Sequence, residues 1–176
     1  MLRHPDPPLG DGVITLRAKT RHDVDTLVVL CSDPEIPRWT RVPRPYTRED
    51  ALDWIAVCEL ELVAGRAIDW LAVDEHDEVA ASVGLQRIEG DSAEVGYWVA
   101  AHARGRGVGT RAVRLVCEWA ARELGLERLE ILHHEDNPAS GGVARAAGFA
   151  DSGETRGPPG DGLPEGRYVV LTWRPG

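Results

Sequence analysis

The sequence predicts a single mixed α/β domain, and three observations lead to that prediction. The chain has 176 residues, a length that suits one domain with one core. Its apolar content of 43% and charged content of 28% are typical of a globular protein. Strand and helix periodicities follow each other in the order β-α-α-β-β-β-α-β-α-β-β, without an internal repeat or a dividing linker.

The N-terminal half begins with a strand and two helices. Residues 13–17 alternate between apolar and polar, as a short strand does. Thr20 and Asp23 form a capping-box pattern that opens a helix. The same pattern at 47–50 opens a second helix that ends at Gly65, and prolines break the stretch between the two. Residues 1–12 are rich in proline and lack the apolar centre of a signal peptide, so we expect a flexible arm before a domain at 13–176.

The remaining elements are strands with two helices between them. Apolar runs predict the strands, and apolar residues at one-face spacing predict the longer helix. The predicted elements are strands at 68–73, 79–88 and 93–100, a helix from the glycine turn to Gly125, a strand at 129–134, a helix at 138–147 and a strand at 168–173.

Charge and cysteine usage exclude several classes of function. The net charge of −9 disfavours nucleic acid as a partner, because nucleic-acid binding needs a basic surface. Three cysteines without a C-x-x-C pair favour a reducing cytoplasm and argue against a metal site. The chain has no apolar run long enough to span a membrane. We therefore expect a cytoplasmic protein without a metal, a membrane anchor or a nucleic-acid partner.

The turn from Arg104 to Gly109 carries the strongest functional signal, because a strand leads into it and a helix opens within it. A helix N-terminus offers unpaired N–H groups and the positive end of the helix dipole, which together favour an anion. Glycines allow the main chain to approach that anion closely. The turn therefore predicts a phosphate-bearing ligand.

Two nucleotide-binding motifs compete for this turn. A P-loop requires a lysine that the turn lacks. A dinucleotide fingerprint matches weakly from Gly107 to Ala112, with Glu130 near the expected acidic position. That fingerprint belongs at the start of a βαβ series, whereas several strands precede this turn. A nucleotide-dependent oxidoreductase is therefore the weaker alternative.

The spaced motifs around the turn resemble the GNAT superfamily of N-acetyltransferases. Arg104, Gly107 and Gly109 fill the positions of its [QR]-x-x-G-x-[GA] turn. The segments 137–140 (N-P-A-S) and 147–149 (A-G-F) are similar to the branch that includes ribosomal-protein N-terminal acetyltransferases, as are G-Y-W-V at 96–99 and the tryptophan-rich segment at 39–55. The resemblance implies a mostly antiparallel sheet of six to seven strands flanked by about four helices.

The resemblance also implies a binding site for acetyl-CoA. The main chain of the strand before the turn would pair with the pantetheine arm, and the N–H group of Val99 would polarise the thioester carbonyl. The implied cofactor-binding residues are Tyr97, Trp98, Val99, Arg104, Gly105, Arg106, Gly107, Val108, Gly109, Thr110, Asn137 and Ser140.

The catalytic residues of many relatives are missing here. Ala144 stands where many of these enzymes have a tyrosine that acts as the catalytic acid, and Leu132 stands where some have a glutamate that acts as the base. The branch suggests Ser140 as the acid, and we select Glu94 on the strand before the turn as the candidate base. The aromatic residues Trp39 and Tyr46 are candidates for the acceptor site.

The predicted function is transfer of an acetyl group from acetyl-CoA to a primary amine, by direct attack in a ternary complex. The acceptor is either a protein N-terminus or a small-molecule amine, and the resemblance admits a homodimer. The missing tyrosine and glutamate leave open a non-catalytic acyl-CoA-binding or regulatory module. The loop at 156–166 is either a lid or an excursion without a role.

Overall fold

An eight-stranded sheet organises the chain, and all but one of its neighbouring strands pair in antiparallel fashion. The computed structural model describes residues 2–176. The order across the sheet is β1-β2-β3-β4-β5-β6-β8-β7, and β5 with β6 is the parallel pair. The strands are β1 Leu9–Gly10, β2 Thr15–Arg17, β3 Ile68–Val73, β4 Val79–Glu89, β5 Ser92–Val99, β6 Arg128–His134, β7 Ala150–Arg156 and β8 Tyr168–Trp173.

Five α-helices cover the two faces of this sheet. They are α1 Val24–Cys31, α2 Glu35–Trp39, α3 Arg48–Val63, α4 Val108–Leu124 and α5 Pro138–Ala146. The expected mixed α/β, mostly antiparallel architecture is confirmed. One parallel pair is too few for the parallel sheet of a dinucleotide-binding fold, so the oxidoreductase alternative has no support in the topology.

The strand and helix counts exceed the predicted six to seven and four, and the extra elements have weak sequence signals. Strand β1 has only two residues, and β7 is a largely exposed edge strand with the polar sequence A-D-S-G-E-T-R. Helix α2 has five residues and contains Pro37, which the sequence pattern favoured as a breaker. Short or polar elements form because neighbouring parts of the fold pair or pack with them, and hydrophobic periodicity carries no information about those contacts.

The segment at 1–12, expected to be a flexible arm, contacts the domain over its described part. Leu9 and Gly10 pair with Leu16 and Thr15 of β2. The ring of His4 meets Trp70 edge-on, with 5.5 Å between the ring centroids. The flexibility of this segment stays a prediction.

The two predicted capping boxes are present in the N-terminal half: one opens a 3₁₀ turn at Arg21–Asp23 that leads into α1, and the other opens α3. The Asp23 carboxylate accepts from the N–H group of Thr20, and the Asp50 carboxylate accepts from that of Thr47 at 2.8 Å. In return, the Thr47 hydroxyl accepts from the N–H group of Asp50 at 3.2 Å. Both helix starts thus satisfy N–H groups that would otherwise lack partners.

The core lies on both sides of the sheet. Helix α4 buries one stripe, including Ala112, Val113 and Val116, against the sheet face that we call the α4 face. Helices α1 and α3 bury Leu27 and Ile55 against the opposite face, which we call the α3 face. Burial of apolar surface in these two layers is the main stabilising contribution.

Strands β5 and β6 separate after three pairs of residues. They pair from Ser92 to Glu94 against Arg128 to Glu130, and no pairing between them follows toward Val99. On their outer sides, β5 continues to pair with β4, and β6 continues to pair with β8. The sheet therefore contains a V-shaped gap between its two central strands.

Asp23 generates a prediction about stability and pH. Burial by itself would raise the pKa of Asp23, but hydrogen bonds from Arg17, at 2.8 and 3.0 Å, and from Thr20 lower the pKa below its usual value. Asp23→Asn should lower the free energy of unfolding at pH 7 by about 1–3 kcal/mol. A carboxylate with a lowered folded-state pKa stabilises the fold above its unfolded pKa, so the difference should shrink as the pH falls below about 3.9.

Urea unfolding of both proteins at pH 7 and at acidic pH measures this difference. Asp25→Asn is the matched control, because that carboxylate is exposed on α1 and its ion pair with Arg48 lies in solvent. An equal loss of stability in the two variants would contradict the proposed contribution of Asp23.

Candidate active site

A cleft of about 900 Å³ opens at the gap between β5 and β6. Its lining contains every residue predicted for the site except Arg106, whose side chain is exposed at the turn. The fold therefore brings the predicted residues together, from three separate parts of the chain. The predicted residues in the lining are Trp39, Tyr46, Glu94, Tyr97, Trp98, Val99, Arg104, Gly105, Gly107, Val108, Gly109, Thr110, Asn137 and Ser140.

The edge of β5 presents only alternate residues to the gap. The N–H group of Ala100 donates to the carbonyl of Ala80 at 2.9 Å. Every second residue before Ala100, beginning with Trp98, therefore directs its N–H and C=O groups toward β4. Tyr97 and Val99 have the opposite parity and direct their N–H groups into the gap. Trp98 was expected to contribute its main chain, and this alternation corrects that expectation.

The glycine turn has the geometry of an anion site. Gly105 and Gly107 have φ values of +73° and +76°, which favour glycine, and Gly107 is the N-cap of α4. A Cβ atom on Gly109 would lie 3.0 Å from Val99 and 3.4 Å from Val143. Because Gly109 has no side chain, the first turn of α4 lies close to β5 and remains open to the cleft.

Arg104 is held by protein groups at this turn. Its Nε donates to the carbonyl of Val99 at 3.2 Å, and its Nη2 donates to Asp33 at 2.5 Å. Asp33 precedes α2, so the ion pair links the glycine turn to the wall that carries Trp39. The arginine that the motif assigned to the phosphates thus also fixes the position of α2.

Asn137 and Ser140 shape the start of α5 beside the gap. The side chain of Asn137 accepts a hydrogen bond from the N–H group of Ser140 at 3.2 Å, and Pro138 follows at the first helical position. This confirms the predicted N-cap. The amide NH₂ group of Asn137 remains available to a ligand in the cleft.

The phenol of Tyr97 reaches Ser140, a contact that sequence reasoning missed. The Tyr97 hydroxyl donates to the carbonyl of Ser140 at 3.0 Å and lies 2.8 Å from the Ser140 hydroxyl. Burial raises the pKa of Tyr97 to about 12, and the bond with Ser140 lowers it in part. No sequence spacing links β5 to α5, so only the fold could reveal this pair.

The candidate base lies on the other side of the sheet from Ser140. Glu94 has the strand parity of Trp98, which packs on the α3 face, whereas Tyr97 and Val99 pack on the α4 face. One oxygen of Glu94 accepts from Arg87 at 2.8 Å. The cleft therefore offers a carboxylate on the α3 face and two hydroxyl groups on the α4 face.

Aromatic residues form the wall of the cleft on the α3 face. Trp39 packs against His134 with 5.4 Å between the ring centroids, and Tyr46 is buried. Among residues 2–176, neither the hydroxyl of Tyr46 nor the indole N–H of Trp98 has a hydrogen-bond partner. Both residues belong to the cleft lining.

His133 and His134 are successive residues of β6 and therefore lie on opposite faces of the strand. The Nδ1–H of His133 donates to the carbonyl of His134 at 2.9 Å, because a carbonyl can only accept. The Nδ1 of His134 accepts from the N–H group of Asp136 at 3.1 Å. Within the described part of the chain, no group of three potential ligands could hold a metal ion.

The loop after β7 closes one end of the cleft. Pro159 and Leu163 belong to the lining, and the carbonyl of Pro159 accepts hydrogen bonds from both Arg41 and Arg87. These bonds tie the loop to the segment after α2 on one side and to β4 on the other. The sequence alone left its role open, and the structure places it over the cleft.

Comparisons with known proteins agree with this fold. The family model described as "Acetyltransferase (GNAT) domain" matches residues 14–150. An uncharacterized N-acetyltransferase, p20, of Bacillus licheniformis is 28% identical over 149 residues, which cover 81% of this chain and 82% of that protein. None of the helices formed by residues 2–176 is both long and apolar enough to cross a membrane.

Solved structures with the same fold include acetyltransferases with different descriptions. A Vibrio cholerae protein provisionally described as a ribosomal-protein-serine acetyltransferase has a TM-score of 0.86 at 20% identity, covering 98% of this chain and all of that chain. The microcin C7 self-immunity acetyltransferase MccE, solved with acetyl-CoA and AMP, has a TM-score of 0.82 at 18% identity over 93% of each chain.

The three tyrosines generate a prediction about alkaline titration. Burial raises the pKa of Tyr97 to about 12 and also raises the pKa values of Tyr46 and Tyr168. The folded protein should therefore show little tyrosinate absorbance at the usual pKa of about 10, and denaturant should restore titration there. Because the unfolded chain loses these protons first, stability should fall as the pH rises above about 10.

A spectrophotometric titration with and without guanidinium tests this prediction. Tyr97→Phe should remove one step on the alkaline side and leave the others in place. A full tyrosine step near pH 10 in the folded protein would contradict the burial of the Tyr97 hydroxyl against Ser140.

Proposed function

The chain belongs to the GNAT acetyltransferase family and depends on acetyl-CoA, and from this premise we propose that it acetylates a primary amine by direct attack in a ternary complex. The observation that carries the proposal is the gap between β5 and β6, which has cofactor-type features on the α4 face and acceptor-type features on the α3 face. An amine entering from the α3 face would meet a thioester held at the gap.

The residues at the gap fit acetyl-CoA. The positive-φ glycines leave the N-terminus of α4 open to the phosphates, and the free N–H groups of Tyr97 and Val99 suit the amide carbonyls of the pantetheine arm. Asn137 adds an amide donor from the far side of the gap. When bound, acetyl-CoA supplies an activated thioester. The N–H group of Val99 is the proposed donor to its carbonyl oxygen, which gains negative charge during attack.

The proposed reaction needs only modest acid–base assistance. The amine nitrogen forms a bond to the carbonyl carbon, the carbon–sulfur bond breaks, and the nitrogen loses a proton. An α-amine with a pKa near 8 is about one-tenth neutral at pH 7, so a base gains roughly a factor of ten. Positioning of the two substrates and polarisation of the carbonyl are the larger contributions.

Ser140 and Tyr97 are proposed to stabilise the leaving sulfur by hydrogen bonding. A thiol has a pKa of about 8.5, whereas the pKa of Tyr97 is raised to about 12. Full proton transfer from the phenol to the thiolate is therefore unfavourable. A hydrogen bond from the Ser140 hydroxyl to the sulfur needs no such transfer, and solvent can protonate the released thiolate afterwards.

Glu94 is the proposed base on the acceptor side. Arg87 occupies one of its oxygens, and the other oxygen is free to take the proton of the amine directly or through a water. The net charge of −9 and the carboxylates of Asp50, Asp53 and Glu94 in the lining favour a cationic acceptor. We favour a protein N-terminus as the acceptor and keep small-molecule amines as the second class.

The glycine turn provides the first test. Gly109→Val places a branched side chain where a Cβ atom already lies 3.0 Å from Val99, so acetyl-CoA binding should weaken at least tenfold, or by about 1.4 kcal/mol. Gly157→Ala is the matched control, since a Cβ atom there meets nothing within 4 Å. Isothermal titration measures both, and unchanged binding in Gly109→Val would contradict the proposed phosphate site.

Release of CoA thiol with a panel of amines tests the reaction itself. The panel contains peptide amides with free N-termini, spermidine and an aminoglycoside. Acetylation of a panel member supports the proposed transfer. Binding of acetyl-CoA without acetylation of any member would favour a non-catalytic acyl-CoA-binding module instead.

Ser140 generates a prediction about catalysis. Ser140→Ala should lower kcat roughly tenfold, because a thiolate leaves with modest help, and should change acetyl-CoA binding by less than about twofold. Ser152→Ala, whose hydroxyl donates to Val170 on the outer edge of the sheet, is the matched control. Equal kcat values for Ser140→Ala and the parent would remove Ser140 from the proposed mechanism.

A further inference from the structure

Three residues lie side by side across the floor of the cleft on the α3 face. Asp69 of β3 stands opposite Gly84 of β4, and Gly84 stands opposite Gly96 of β5. Directly opposed residues of neighbouring strands place their side chains on the same face. Because two of the three are glycines, the row has no side chains of its own between Asp69 and the gap.

The carboxylate of Asp69 extends along this row toward β5. A Cβ atom on Gly84 would lie 2.3 Å from its Oδ1 and 2.7 Å from its Cγ, so the side chain occupies the space that Gly84 leaves empty. The amide of Gln86 similarly lies 3.2 Å from the Cβ position of Gly96. Two polar groups thus cover the glycine row, and both belong to the cleft lining.

Asp69 has few partners for a buried carboxylate. Its side chain is only 12% exposed, and the nearest cation, Lys19 Nζ, lies 3.8 Å away, beyond hydrogen-bond distance. The thiol of Cys58 is 3.7 Å from its Oδ2, and no N–H or O–H group of residues 2–176 donates to it. A carboxylate can accept about four hydrogen bonds, and burial without them is costly.

Lys19 explains why a charge can be buried here, but it leaves the acceptor capacity of Asp69 unused. Its ammonium group lies 4.0 Å from the centre of the Trp54 ring and donates to Cys58 at 3.4 Å. The charges of Lys19 and Asp69 therefore offset each other, but the carboxylate of Asp69 still lacks most of the hydrogen bonds that it can accept. By contrast, Glu94 already accepts from Arg87 at 2.8 Å.

We propose that Asp69 binds the ammonium group of the acceptor and holds it over Gly84 and Gly96, next to the gap. This inference rests on the proposed function, because it assigns the acceptor side of the same cleft. An ammonium group brings three donors to an oxygen pair whose only donor is the weak S–H group of Cys58, and the glycine row, which has no side chains of its own, leads from Asp69 to the gap. Asp69 is thus the amine-binding residue of the cleft, and no proton transfer is assigned to it.

Methylammonium, the smallest primary ammonium ion, tests the site without any reaction. The carboxyl carbon resonance of Asp69 should shift saturably when methylammonium chloride is added to the protein with bound CoA, and equal sodium chloride should not reproduce the shift. Gly84→Ala should abolish the saturable shift, because its Cβ atom takes the place of the carboxylate. Equal effects of the two salts on the Asp69 resonance would overturn the inference.

Kinetics with the amines of the panel provide the second arm. Asp69→Asn should raise the acceptor KM about tenfold and leave acetyl-CoA binding within twofold. Asp91→Asn is the control, because that carboxylate is exposed at the turn between β4 and β5 and does not belong to the cleft lining. Since Asp69→Asn leaves Lys19 buried without a counterion, the double variant with Lys19→Met keeps the test valid if the single variant does not fold.

The two arms separate failure of the inference from failure of the proposed function. Saturable methylammonium binding without acetylation of any amine would contradict the function and support the amine site. Acetylation with an unchanged acceptor KM in Asp69→Asn or in the double variant would support the function and overturn the role of Asp69.

Discussion

The separation of β5 from β6 is the constraint on which the site depends. Inside a sheet, each strand normally satisfies the N–H and C=O groups of its neighbour, and a buried group without a partner costs about 1–3 kcal/mol. Here β5 loses its β6 partner after Glu94, while its pairing with β4 holds Tyr97 and Val99 rigidly at the edge of the gap. The site is therefore a row of fixed donors and acceptors in the middle of a stable sheet.

Small residues complete the site because they remove side chains where space is needed. Gly109 lets α4 begin against Val99, and Gly141 leaves room for the imidazole of His133, whose Nε2 lies 2.7 Å from the absent Cβ position. Gly84 does the same for the carboxylate of Asp69. In each case the glycine belongs to one element and the group that uses the space belongs to another.

The two faces of the sheet divide the proposed chemistry. The alternation of a strand sends neighbouring residues to opposite faces, so Glu94 and Tyr97 are close in sequence but lie on different faces of the sheet. Attack from one face and departure of sulfur toward the other follows from this arrangement. The loop that carries Pro159 adds a wall on the acceptor side, bound through Arg41 and Arg87.

The sequence by itself determined the elements with strong local signals. The capping boxes at Thr20 and Thr47, the glycine turn and the Asn137 cap were predictable because each depends on residues within one turn of chain. The tertiary structure decided the rest: the pairing of Tyr97 with Ser140, the tie between Arg104 and Asp33, and the position of Asp69 over Gly84. These contacts join distant segments, and their geometry depends on strand register and gap width, which no local pattern encodes.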